Sequence, residues 1–140
     1  MIRNIGAALA GVVTAFVLVM LIEKVGLLIY PPPADLDFSD PEAIKPYIAT
    51  LPFFALLFPM IAWVVATFTG SLVASKIGTA NPLLFAGIVG GLIFAATIAN
   101  LIMIPHPMWF SIVSLLAIAA SAWIAARVAS GPTRPASDED

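Results

Sequence analysis

Cysteine is absent from the chain. That removes disulfide frameworks, thiol–disulfide chemistry and thiolate-ligated zinc or iron–sulfur centres. Histidine occurs once, at His106, so a multi-histidine metal site within one chain is excluded. Charge is scarce: 10% of the 140 residues are Asp, Glu, Lys or Arg, against about 25% in a soluble domain. The net charge is −2 and the isoelectric point about 5.1. Nucleic acid would require a basic face, so it is not an expected partner. Also missing are a Gly-x-Ser-x-Gly elbow, a phosphate loop and a Gly-x-Gly-x-x-Gly turn. No nucleophile–base set is legible, and the expectation is a protein that is not an enzyme and carries no cofactor or metal.

Long apolar runs fill the space that charge leaves. Residues are 61% hydrophobic and the mean hydropathy is +1.08. Four runs are long enough to cross the roughly 30 Å hydrocarbon core as helices. Their limits read as about residues 5–30, 51–74, 82–101 and 108–129. The fold class is therefore an all-α, four-helix membrane bundle, one domain over residues 1–129. The partner implied by composition alone is the lipid bilayer. The first run follows Arg3 and outlasts the 7–15 apolar residues usual in a cleavable signal, with no small-x-small site after it, so it reads as an uncleaved signal anchor.

Proline and acid mark the joints. Tyr30-Pro31-Pro32-Pro33 stops the first helix, because proline has no N–H and turns its predecessor away from helical angles. The loop 31–50 carries Asp35, Asp37, Asp40 and Glu42 against Lys45. Ser39 with Glu42 three residues on reads as a capping box, with Asp40 and Pro41 in the first turn of a short interfacial helix. Pro59 falls inside the second run and is expected to kink it near Ala55. Gly78–Pro82 and Ile104-Pro105-His106-Pro107 form the later links. Residues 130–140 hold Pro, Ser and terminal acids and read as a disordered cytoplasmic tail.

Small residues recur at helical spacing. Gly87, Gly91, Ala95 and Ala99 form a bare ridge on the third run, which lets a neighbouring backbone approach closely. This ridge is expected to be the centre of packing. Its expected docking partners are Gly6/Ala10 and Ala7/Gly11 on the first run; Ala66, Gly70 and Ala74 make a second small ridge on the second run, and Ala117, Ser121 and Ala125 another small face on the last. Thr67, Thr69, Ser71 and Ser75 are expected to bond back along their own helix or across to another. The tryptophans read as interface anchors, Trp109 and Trp123 above all.

Polar groups inside the spans are few, so each is a candidate. Glu23 lies roughly 27 Å along the first helix and Asn100 roughly 27 Å along the third, which runs the same way. Both then sit near one face, with Thr97 a turn deeper and His106 just above. Glu23, Asn100, Thr97 and His106 form the candidate polar or proton site. Lys24 is long enough to snorkel to the headgroups. Arg3, Lys76, Arg127 and Arg134 fall on one side, Lys45 and Lys24 on the other, so positive charge puts both termini in the cytoplasm of a cell (inner) membrane protein.

The Tyr30–Pro33 stop, the Ser39–Glu42 cap and the Ile104–Trp109 link together resemble an uncharacterised family of small bacterial four-helix membrane proteins. The resemblance covers residues 3 to 129 and implies a fold but no activity. Two functional readings follow from the residues. One is an accessory or interaction subunit of a larger membrane complex, working through its small-residue faces. The other is a small homo-oligomeric transporter or channel using Glu23 and Asn100 near the outer mouth for a proton, cation or substrate. A weaker third reading, a lipid-acting enzyme, requires Glu23 and His106 to touch directly or through one water.

Overall fold

The computed structural model describes residues 1–131 and is all helix and loop over that range. The elements are α1 (Ile2–Ile29), α2 (Pro41–Thr50), α3 (Phe53–Ile77), α4 (Pro82–Met103) and α5 (Met108–Ser130). Among the described residues, α1, α3, α4 and α5 are long and apolar enough to span a membrane, and α2 is the short helix of the first loop. The outward faces carry Leu9, Phe16, Met20, Leu28, Ile102 and Leu116. In water such a surface would aggregate; in lipid it is the solvated side. The expected tail falls mostly on residues 132–140, which lie outside the described residues, as does Arg134.

Local chemistry sets the helix limits. Asn81 caps α4 by accepting from the Leu83 N–H at 2.9 Å, with Pro82 in the first turn. The cap of α2 is Asp40, whose carboxylate accepts from the Glu42 N–H at 2.9 Å. The expected Ser39–Glu42 capping box does not form: the cap lies one residue later, and Ala43, three residues on, has no side-chain acceptor to return the bond. Ser39 instead turns both its N–H and its hydroxyl onto Asp37 Oδ1, at 2.8 and 2.6 Å. These bonds hold the exposed Asp37 carboxyl below its ordinary range. α3 runs unbroken through Pro59.

α3 is the hub, touching α1, α4 and α5 in turn. Ala66, Gly70 and Ala74 of its small ridge are buried, and Gly70 and Ala74 lie against Gly11 of α1. α1 and α3 approach each other closely at Gly11 and Gly70. A methyl group on Gly11 would lie 2.5 Å from the Gly70 carbonyl oxygen, and one on Gly70 would lie 2.6 Å from the Gly11 oxygen. Val89 of α4 fills the notch that these two glycines leave, at 3.1 Å from either added methyl. Dense packing of this kind is what associates helices when lipid is as apolar as leucine.

The expected central ridge is not at the centre. Gly87, Gly91, Ala95 and Ala99 are exposed, and methyls added to Gly87 or Gly91 would meet nothing within 4 Å. α4 instead buries Phe85, Ala86, Val89, Gly90, Ile93 and Thr97, a face rotated by about 100°. The reason is volume. Two bare ridges laid together leave gaps, whereas Val89 and Phe85 supply bulk beside the small Ala86 and Gly90. The α4–α5 contact forms at Gly90, where an added methyl would fall 2.6 Å from Ala122 Cβ. A similar correction applies on α1: Ala7, Gly11 and Ala15 are buried, Gly6 is exposed and open, and Ala10 is only half-buried.

Polar clamps close the end that holds the termini. Arg3 Nε donates to the Ile77 carbonyl at 2.9 Å, and Asn4 Oδ1 accepts from both Thr79 N and Thr79 Oγ1 at 2.9 Å. Arg127 lies 5.0 Å over the Trp123 ring. The opposite end, here the loop end, gathers the first loop, α2 and the Ile104–Pro107 link.

Candidate functional site

The loop end contains a pocket of about 330 Å³. α1 gives it Glu23, Gly26 and Tyr30; α3 gives Leu56, Phe58 and Trp63; α4 and its link give Asn100, Ile104 and His106. Phe38 and, from α2, Tyr47 and Ile48 complete the wall. α2 reaches the pocket because its apolar side, with Ile44 buried and Ile48 packed on the core, turns toward the bundle.

Three of the four candidate residues meet here. Glu23, Asn100 and His106 line the one pocket, so the shared depth read from helix length brings them together. Thr97 is elsewhere, buried within the α4 interface at 2% exposure. The pairing inside the pocket differs from expectation. Glu23 Oε1 accepts the indole N–H of Trp63 at 3.2 Å. Among the described residues no hydrogen bond or ion pair links Glu23 to Asn100, Lys24 or His106.

Trp63 is the residue that the sequence reading misplaced. It is 7% exposed, whereas Trp109 and Trp123 are exposed in keeping with an interfacial position. A signal did exist. An indole N–H in the middle of a span must find an acceptor, and α3 offers no side-chain carboxylate or amide of its own. Thr67 donates its hydroxyl to the Trp63 carbonyl at 2.7 Å, and the indole N–H goes to Glu23 instead.

An aromatic column stiffens the site from behind. The His106 ring stacks on Phe110 at 4.7 Å and 13°, and Phe110 meets Trp63 edge to face at 5.7 Å. His106 Nδ1 lies 2.7 Å from the Ile104 carbonyl. A carbonyl only accepts, so Nδ1 carries the proton and Nε2 keeps its lone pair. Burial holds the imidazole below its ordinary range, partly offset by that bond, so His106 is neutral at neutral pH. Tyr30 and Phe58 meet edge to face at 6.1 Å on the opposite wall.

The pocket presents one carboxylate, one amide, one neutral imidazole and several aromatic side chains. Among the described residues Glu23 and His106 form no direct hydrogen bond with each other. Among the described residues no three His, Asp or Glu side chains group as metal ligands. Elsewhere, a shallow groove of about 360 Å³ runs between α4 and α5, bordered by Gly87, Gly91, Phe94 and Trp123. Ser71 and Ser114 bury hydroxyls without a partner inside the bundle, while Ser121 donates to the Val64 carbonyl at 2.8 Å. Comparison with protein families, curated proteins and solved structures finds no match to this chain.

Proposed function

We propose that the protein is a non-enzymatic, multi-pass protein of the cell inner membrane that binds a small solute in the loop-end pocket, as a small homo-oligomeric transporter or channel. The observation that carries this reading is the Glu23–Trp63 hydrogen bond set into the wall of a pocket of about 330 Å³. A carboxylate within a span is costly unless it has work to do or a partner. Trp63 satisfies only Oε1 and leaves the group facing open space. Below the pocket, Ala62, Ala66, Val89 and Ile118 are at 0% exposure. A route across the membrane then runs between copies of the chain. Arg3, Lys76 and Arg127 lie at the end holding the termini, which supports cytoplasmic termini and an outward-facing pocket.

A second reading keeps the protein as an accessory or interaction subunit of a larger membrane complex. The exposed Gly87–Gly91 stripe with its groove against α5 favours it, because a partner's helix approaches closely on such a surface. One experiment separates the two. The purified protein is weighed in detergent, then reconstituted in liposomes for solute flux with and without Glu23→Gln. Oligomers of this chain alone, with flux lost in Glu23→Gln, support the transporter. Flux indifferent to Glu23→Gln sinks it, and co-purification in a larger assembly then favours the subunit.

A further inference from the structure

We propose that the loop-end pocket recognises an organic ammonium ion with an apolar body, its charge held against Glu23 and its flanks against the aromatic wall. The proposal rests on the reading of this pocket as a binding site and names what enters it.

Charge decides the sign of the ligand. Glu23 is the carboxylic acid among the lining residues, and no Lys or Arg stands there with it. Lys24, its neighbour, is exposed and forms no ion pair with it among the described residues. An anion would meet the Glu23 carboxylate with nothing opposite to hold it. His106 does not reverse this, since its buried imidazole is uncharged at neutral pH and presents a lone pair at Nε2.

The walls decide the kind of cation. Tyr30, Phe38, Tyr47, Phe58 and Trp63 line the same pocket, and Trp63 touches the Glu23 side chain. Aromatic faces attract cations through the ring quadrupole, most strongly when the cation is stripped of water. A metal ion is a poor fit, because it needs several oxygen ligands to replace its hydration shell and the described residues offer no such group. A substituted ammonium spreads its charge over carbon and tolerates dry aromatic contact. The volume of about 330 Å³ is at the small end of the range for ligand pockets, roughly 300–1,000 Å³. The remaining Oε2 of Glu23 accepts no hydrogen bond among the described residues, and Asn100 adds a donor and an acceptor for orientation.

The ammonium has two sources, a free solute or an aminated lipid headgroup at the membrane surface. The test is calorimetric titration of the full chain in maltoside micelles with benzyltrimethylammonium and with neopentylbenzene, its uncharged carbon isostere. The expected result is saturable binding of the cation and affinity for the isostere about tenfold or more weaker. Glu23→Gln should abolish that preference. Because the two ligands are compared on the unaltered protein, the result stands even if the variant fails to fold. Trp63 emission, read in Trp109→Phe/Trp123→Phe protein, should respond to the cation and locate it. Added phosphatidylethanolamine that competes with the cation assigns the site to a headgroup; no competition assigns it to a free solute. Equal affinity for cation and isostere overturns the ammonium while leaving a pocket that binds. Failure of both to bind overturns the pocket reading as well.

Discussion

Gly11→Ala should destabilise the bundle while Gly91→Ala should not, although the two glycines look alike in sequence. The Gly11 methyl would fall 2.5 Å from the Gly70 carbonyl oxygen and 2.7 Å from Ala74 Cβ. A carbonyl in a helix cannot rotate away, so α1 and α3 must separate, and Val89 loses its seat. Overpacking of this kind costs about 1–3 kcal/mol. Replacing a helical glycine by alanine returns up to about 1 kcal/mol, so the net loss for Gly11→Ala is up to about 2 kcal/mol once that full gain is subtracted. At Gly91 no atom lies within 4 Å of the added methyl, and only the gain of up to about 1 kcal/mol remains. The assay is reversible unfolding by dodecyl sulfate in mixed micelles, followed by far-UV dichroism, on both variants and on Gly70→Ala. Gly70→Ala should resemble Gly11→Ala, and the double variant should cost less than their sum because both strain one contact. Gly91→Ala destabilising as much as Gly11→Ala would refute the argument. It would mean that the ridge on α4, not the Gly11–Gly70–Val89 contact, joins the helices.

The buried hydroxyls should divide by whether they are satisfied. Ser71→Ala and Ser114→Ala remove orphaned groups and should be neutral or stabilising, whereas Ser121→Ala breaks the bond to Val64 and should cost about 0.6 kcal/mol in the same unfolding assay. Asp40→Ala removes the cap of α2 and should weaken that helix by about 1 kcal/mol, read as faster amide exchange at Glu42, Ala43 and Ile44. His106 shares its pocket with Glu23, Tyr30 and Tyr47 and is held below its ordinary range by burial. Its contribution to stability is therefore present above roughly pH 6.5 and lost as pH falls through the lowered value. The melting temperature in maltoside should drop on acidification, and His106→Gln should lessen the drop; an unchanged profile would show that the ring does not titrate in this window.

The joints of this fold were legible because each is enforced locally. Three prolines end α1, Asn81-Pro82 starts α4, and Pro105-His106-Pro107 separates α4 from α5. Each works through a missing N–H or a fixed φ whatever the rest of the chain does. The packing was harder to read, because α4 offers two small ridges one residue apart, Ala86–Gly90 and Gly87–Gly91. The spacing of small residues along α4 does not choose between them. The choice is made by Val89, which enters the notch at Gly11 and Gly70, two residues supplied by two other helices. The second small ridge is left over from that choice, and it faces outward.

The site was half legible for a related reason. Depth along a helix follows from counting residues, and it brought Glu23, Asn100 and His106 to one level. Partnership depends on side-chain reach as well. Glu23 is six residues from the end of α1 and Trp63 ten from the start of α3, depths of roughly 9 and 15 Å from the loop end. By backbone depth alone the two groups are mismatched. The indole is long enough to span the difference, and the amide of Asn100 is not needed as a partner for the carboxylate. Asn100 is consequently free of Glu23 and available to the pocket. Had the acid paired with the amide, both polar groups would have closed on each other and the aromatic wall would enclose only apolar space. The Trp63 bond anchors the carboxylate by one oxygen and leaves the other for whatever enters. The proposed binding of a charged guest at this end of the bundle thus depends on a tryptophan buried a turn and more below the surface.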